Sequence, residues 1–166
     1  MPNDASAYVQ NRARISVALS KFTVPLLSHI YQDFHGDMVA AIVLGEIAHR
    51  NVEAWLNDET KSEDELYDPQ LSQSRMRPCN ALSIADACGI PRETVRRKVV
   101  TLIERKYIYR DAKGHLYLTN TVGDDFQDRT QQIVEHLLAT ARRLEALLAM
   151  QRPPLGPLQM DRSRHP

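Results

Sequence analysis

Residues 89–108, GIPRETVRRKVVTLIERKYI, combine the punctuation of a turn, a helix with two chemically opposed sides and the approach to a strand. On a 100° helical wheel Val95, Val99, Leu102, Ile103 and the stem of Lys106 share one face, as a core-facing helix requires. Glu93, Arg97, Thr101 and Glu104 lie opposite, and Thr94 and Val100 sit at the flanks. Arg92, Arg96 and Lys98 border the two faces at the N-terminal end. A helix starting near Pro91 loses nothing there, since the first amides of a helix have no intrahelical partner.

The neighbouring segments agree with this reading. Upstream, Asn80 is placed to cap a short helix, ALSIADAC, which Gly89 ends by accepting a left-handed conformation. Downstream, YIYRDAKGHLYLT alternates apolar and polar residues on both sides of Asp111-Ala112-Lys113-Gly114, which predicts a hairpin turning at the glycine. The order is helix, tight turn, helix, β-hairpin.

Further out, the chain is helical in prospect. Tyr8 to Phe34 is apolar and reads as helix interrupted at Pro25, although Ile15 to Leu19 (ISVAL) alternates as a strand would. Asp37 to Leu56 is so apolar that it predicts a helix buried on most sides, with Asp37 as its cap. Asn57 to Asn80 turns acidic and then polar, with Pro69 and Pro78, and reads as a loop with room for a short helical turn. From Asp124 to Met150 a long helix is predicted, started by a capping box of Thr121 and Asp124. Its residues Val134, Leu137, Ala141, Leu144 and Leu148 repeat at spacings of three, four, three and four, the seam of a helix packed along a partner helix, widened by Leu138 and Leu147. The Pro-rich end predicts a disordered tail. The resulting division is an N-terminal helical extension over 1–36, a central domain over 37–123, a dimerisation helix over 124–150 and a tail over 151–166.

Composition limits the functions available. With 43% hydrophobic and 25% charged residues over 166 positions, the chain has the make-up of an ordinary globular protein of about one domain. No apolar run approaches the ~18 residues of a membrane span, and the N-terminus lacks the basic and apolar succession of a signal peptide, so a cytoplasmic protein without membrane contact is expected. Cys79 and Cys88 form neither a disulfide framework nor a zinc signature, and read as inert thiols more readily than as a redox pair. Asp33, His35 and Asp37 alternate in a way that could suit a metal, but a polar helix junction explains them as well, and no metal or other cofactor is expected. No P-loop, GxGxxG, HExxH or nucleophile elbow occurs, which predicts a non-enzyme. Trp55 and the 37–56 helix could line a pocket for a small-molecule effector, though a core role accounts for both.

The formal net charge is zero, yet the charge is segregated. Glu53 to Asp68 holds seven acids against Lys61 alone, whereas Arg75 to Lys113 holds ten bases against four acids. Because exposed charges more than about 8 Å apart are screened at physiological salt, a partner meets the local field and not the sum. The second stretch therefore predicts a basic surface.

The stretch SIADACGIPRETVRRKVVTLIERKYI, with Ile84-Ala85, the Gly89-Ile90 turn, Thr94-Val95, Leu102 and Ile108, resembles the winged helix-turn-helix of bacterial transcription regulators over roughly Asn80 to Thr119. Arg92-Glu93-Thr94 followed by Arg97 is similar to the recognition helix of the cyclic-AMP receptor family, without that family's nucleotide-binding barrel. LYLTNTVGDDF leading into a long helix looks more like the multiple-antibiotic-resistance type, whose terminal helices intertwine in dimers. Pro91 stands where a serine is usual at the start of the recognition helix. The resemblance implies a mainly α fold, a winged helix-turn-helix with a small β-hairpin wing and N- and C-terminal dimerisation helices, binding double-stranded DNA as a homodimer. A major groove about 12 Å wide admits one helix, from which Arg97 is placed to fork onto guanine and Glu93 to accept from cytosine. Arg92, Arg96 and Lys98 then suit phosphates, Thr94 and Thr101 complete the face, and Arg110 and Lys113 reach the backbone or minor groove from the hairpin. The competing reading is a winged-helix module for protein interaction in a replication or partition complex, with the basic face docked on acidic protein.

Overall fold

A computed structural model describes residues 4–56 and 76–150. The architecture is mainly α, with helices α1 (Asp4–Asp33), α2 (Met38–Leu56), α3 (Ala81–Cys88), α4 (Arg92–Glu104) and α5 (Thr121–Ala149), and strands β1 (Ile108–Arg110) and β2 (Leu116–Leu118) between α4 and α5. Among the described residues no helix is long and apolar enough to cross a membrane. The acidic stretch from position 57 and the tail after 150 lie outside the described residues, so the predicted loop and tail are not seen there. Two compact units form, Leu26–Gln132 on one hand and Met1–Pro25 with Ile133–Pro166 on the other.

The core of the Leu26–Gln132 unit is where α2, α3, α4 and the hairpin meet. α2 contributes Ala40, Val43, Leu44 and Ile47, which recur at helical spacing and are buried, while Ile42 remains 51% exposed. Among the described side chains of α2 the exposed positions are one stripe, Ile42, Gly45, His49 and Glu53, and the remaining sides are buried or half-buried, as its apolar content leads one to expect. Val95, Val99 and Leu102 of α4 are all at 0% exposure, and each stabilises by about 1.5–3 kcal/mol on being covered. Ile84 and Ala85 of α3 and Ile108 and Leu116 of the hairpin close the cluster, with Phe34, Tyr107 and Phe126 packed as an aromatic trio on it.

Local signals explain the boundaries. Asn80 Oδ1 accepts from the amides of Leu82 and Ser83 at 3.0 Å each, Ser83 reciprocates, and Gly89 adopts φ 65°, so α3 is capped at both ends as its sequence predicts. Pro91 sits one position before α4, where its carbonyl accepts from Thr94 and Val95. α4 stops at Glu104, and Lys106 adopts φ 61°, so its stem leaves the helical face on which the wheel put it. The antiparallel hairpin pairs Ile108 with Leu118, Tyr109 with Tyr117 and Arg110 with Leu116. Gly114 takes φ 85° in the turn, as a residue without Cβ does readily.

α1 runs unbroken through Pro25, where an interruption is expected, and takes in Ile15 to Leu19. Proline removes one helical hydrogen bond, but Ile15 and Ala18 before it and Ile30 after it are each anchored by their own apolar contacts. In the Met1–Pro25 and Ile133–Pro166 unit, Ile15, Ala18 and Leu147 are buried together, flanked by Leu144 and Leu148. Asn11, at 1% exposure, donates its Nδ2 to the carbonyls of Leu147 at 3.1 Å and Met150 at 3.3 Å. These are orphan carbonyls at the end of α5, so a side chain of α1 caps that helix. The predicted capping box at the other end is absent, because Thr121 already lies inside α5 as its first residue and the Asp124 amide donates to Asn120 O.

Candidate nucleic-acid interface

α4 carries most of the expected site residues, and its burial sorts them. With Val95, Val99 and Leu102 sealed against the core, Arg92, Glu93, Arg96 and Arg97 project exposed from the first turns, while Thr94 and Thr101 are half-buried at the flanks. Thr101 Oγ1 leans back onto the Arg97 carbonyl at 3.4 Å, a satisfied hydroxyl of the helix surface. The helix N-terminus adds partial positive charge from free amides to this cationic end.

Two of the basic side chains are already engaged. Arg96 grips Glu93 with both forks, Nε to Oε2 and Nη2 to Oε1 at 2.9 Å each, so the acid's partner is at i+3 and not Arg97 at i+4. That contact holds the Glu93 carboxyl below its ordinary range. It leaves the guanidinium of Arg97 facing outward.

Lys98 departs furthest from expectation. Its Nζ lies 2.8 Å from Asp37 Oδ2, with the two side chains 27% and 24% exposed, so it braces α4 against the start of α2 and is not held out towards a phosphate. Asp37 also accepts from the Ala40 amide at 3.0 Å through Oδ1, capping α2 with its other oxygen. Burial pulls the Asp37 carboxyl up, but the bonds from Lys98 and Ala40 outweigh it and hold it below the usual carboxylate range. Asp33 of the same Asp33, His35, Asp37 alternation accepts from Arg129 at 3.2 Å, and no group of three or more His, Cys, Asp or Glu that could hold a metal forms among the described residues.

The hairpin presents Arg110 on β1 and Lys113 in the turn, both exposed. Asp111 between them is wholly structural: Oδ1 accepts from the amides of Lys113 at 2.9 Å and His115 at 2.8 Å, and Oδ2 lies 3.1 Å from His115 Nδ1. It fixes the turn and leaves the two cations outside.

What holds the hairpin against α2 is a residue the sequence reading passed over. Asn51, at 0% exposure, donates from Nδ2 to the carbonyls of Arg77 at 2.9 Å and Leu116 at 3.2 Å, and accepts from the Leu118 amide at 2.8 Å through Oδ1. Leu116 N in turn donates to Cys79 O at 2.8 Å, which adds a bridge to the edge of the hairpin. The signal was present in the sequence as an amide four residues after Ile47 and four before the buried Trp55, on the core face of α2. Trp55, at 4% exposure, belongs to that face.

The expected dimerisation residues divide into two groups. Leu144 and Leu148 pack on Ile15, Ala18 and Leu147 of the same chain, and Ala141 is half-buried. Val134 and Leu137 are 47% and 48% exposed, with Leu138 beside them at 51%. α1, expected as a dimerisation helix without named residues, carries a second uncovered row, Val17, Val24, Leu27 and Tyr31, each more than half exposed and spaced seven, three and four apart. No protein family matches the chain, and neither a curated protein nor a solved structure matches it either.

Proposed function

We propose that the chain is a winged helix-turn-helix protein that binds duplex DNA as a homodimer and regulates transcription, without catalysing a reaction. α4 enters the major groove, and the β1–β2 hairpin is the wing on the flanking backbone. The observation that carries this reading is the division of α4, whose apolar side is fully buried while Arg92 and Arg97 stand exposed at its N-terminal end, followed by Arg110 and Lys113 on the hairpin. Arg97 reads guanine through O6 and N7, and Glu93, aligned by Arg96, accepts from cytosine N4. Arg92, Arg110 and Lys113 take phosphates and set the register.

Homodimerisation is supported by apolar surface that the single chain does not cover, Val134, Leu137 and Leu138 on α5 and the row from Val17 to Tyr31 on α1. A twofold dimer sets two α4 helices about 34 Å apart and makes the operator an inverted repeat.

The test is the salt dependence of binding to random duplex, read by fluorescence anisotropy. With four cations of α4 and the hairpin, Arg92, Arg97, Arg110 and Lys113, assigned to the DNA in each protomer, the slope of log affinity against log salt is expected near −3.6 for one protomer and about twice that for a dimer. A flat slope overturns DNA binding and favours the rival reading, a protein-interaction module, to which the engaged Lys98 and Arg96 lend some weight.

A further inference from the structure

Within the Leu26–Gln132 unit, Lys98 of α4 is held by another element, its Nζ donating to Asp37 Oδ2 at 2.8 Å. At 100° per residue Lys98 stands about a quarter-turn round α4 from Arg97, on a flank shared with Thr94, Thr101 and Arg105. All four are half-buried. With Arg97 turned to the base edges, that flank faces a wall of the groove, and the wall is phosphate. The anion against Lys98 is instead the Asp37 carboxylate, at the distance a charge-assisted bond to either oxygen takes.

The geometry lets one anion replace the other. The Lys98 and Asp37 side chains are 27% and 24% exposed, so water reaches both, and the ammonium rides on a flexible four-carbon stem. Asp37 is not stranded when Lys98 leaves it. Its Oδ1 keeps the Ala40 amide at 3.0 Å, the N-terminus of α2 favours its charge, and Arg105 attracts it from the flank of α4.

We propose that Asp37 is a built-in competitor for the phosphate site of Lys98, by which the chain lowers its own affinity for DNA. The inference rests on the DNA-binding reading and adds a restraint on that same surface. A duplex lodged on α4 either displaces the carboxylate to reach Lys98 or leaves an acid beside a phosphate and meets like-charge repulsion. In both cases Asp37 opposes binding, and Lys98 is withheld from the cations that meet random duplex.

Asp37→Asn separates the charge from the cap, because asparagine caps a helix as well as aspartate does. Salt titrations of the full chain on a short duplex of random sequence, read by anisotropy, are the test. Asp37→Asn is expected to steepen the log-log slope by about 0.9 per protomer and to tighten binding about three- to eightfold in about 0.1 M salt. Adding Lys98→Ala to Asp37→Asn is expected to return the slope to that of the parent chain, since the released cation is then gone. Asp37→Ser, also neutral and also a good cap, is expected to match Asp37→Asn, and circular dichroism at the assay temperature checks that each variant is folded. A brace with no other role predicts the opposite, weaker binding for Asp37→Asn at an unchanged slope. That result, or a double variant as steep as Asp37→Asn alone, overturns the proposal. A steep parent slope that neither neutral variant alters overturns this proposal and leaves DNA binding standing, whereas a flat parent slope overturns both.

Discussion

Replacing Asn51 by alanine removes a side chain at 0% exposure that ties α2 to the hairpin and to the strand-like segment at Arg77. Three hydrogen bonds to backbone groups disappear, with a longer one to the Cys79 sulfur at 3.8 Å, and the groups left behind do not fare alike. The Arg77 carbonyl belongs to an exposed residue and regains water, whereas Leu116, at 1% exposure, loses its best donor and keeps only the Cys79 thiol at 3.6 Å. Leu118 N loses its acceptor. An unsatisfied buried group costs about 1–3 kcal/mol, so two of them, with some relaxation, amount to about 3 kcal/mol out of the 5–15 typical of a domain. Urea unfolding followed by circular dichroism measures the loss, and hydrogen exchange at the Leu118 amide locates it. Asn51→Asp supplies the discriminating comparison, because it keeps the acceptor for Leu118 but turns a charge towards the carbonyls of Arg77 and Leu116. That carboxyl titrates high, and the variant regains stability as pH falls and a proton restores a donor. A loss under about 1 kcal/mol for Asn51→Ala, or an unchanged Leu118 exchange rate, refutes the idea that this amide carries the hairpin.

Arg97→Ala is expected to weaken operator binding by about 1–3 kcal/mol and to relax specificity at one base pair, as measured by anisotropy on single-substituted duplexes, with circular dichroism unchanged. Asp37, held below the usual carboxylate range, contributes stability that is present above about pH 4 and lost as pH falls through its folded value. Asp37→Asn or Lys98→Ala removes that contribution, about 0.5–1 kcal/mol after solvent screening, and flattens the acid limb of the stability curve. Val134→Asp with Leu137→Asp, both at exposed positions, is expected to leave the fold intact and yield monomers by sedimentation at concentrations where the parent chain is dimeric; a monomeric parent chain sinks the dimer proposal.

Much of the central architecture is legible because its signals are local. Asn80, Gly89 and Gly114 act on their own backbone, and the burial of Val95, Val99 and Leu102 follows from a spacing that only a helix reconciles. What escapes the sequence is partnership at a distance. Nothing near Lys98 announces an acid sixty-one residues away, and an asparagine in an apolar helix reads as an exception until the strand opposite it is known. The wheel also has no means of telling which of two acceptable neighbours a charge will choose, so Glu93 goes to Arg96. Pro25 is misread for the converse reason: the local preference to break is overridden by contacts made elsewhere along α1. In α5 the periodicity correctly marks an apolar stripe, but periodicity alone does not say that its C-terminal half is taken up by α1 of the same chain.

Cys79 lies at 5% exposure between α2 and the hairpin, and burial pushes its thiol up to about 11. At pH 7 only about one such thiol in ten thousand is ionised, and the thiolate is the form that attacks alkylating and oxidising reagents. With Cys88 replaced by serine, the rate at which Cys79 is alkylated becomes a clock for separation of the hairpin from α2. Because the core of α4 and the edge of the hairpin share that interior, a partner that clamps the two together is expected to slow the clock, and occupancy of the DNA-binding surface proposed for α4 would then be readable from chemistry at a buried residue away from it.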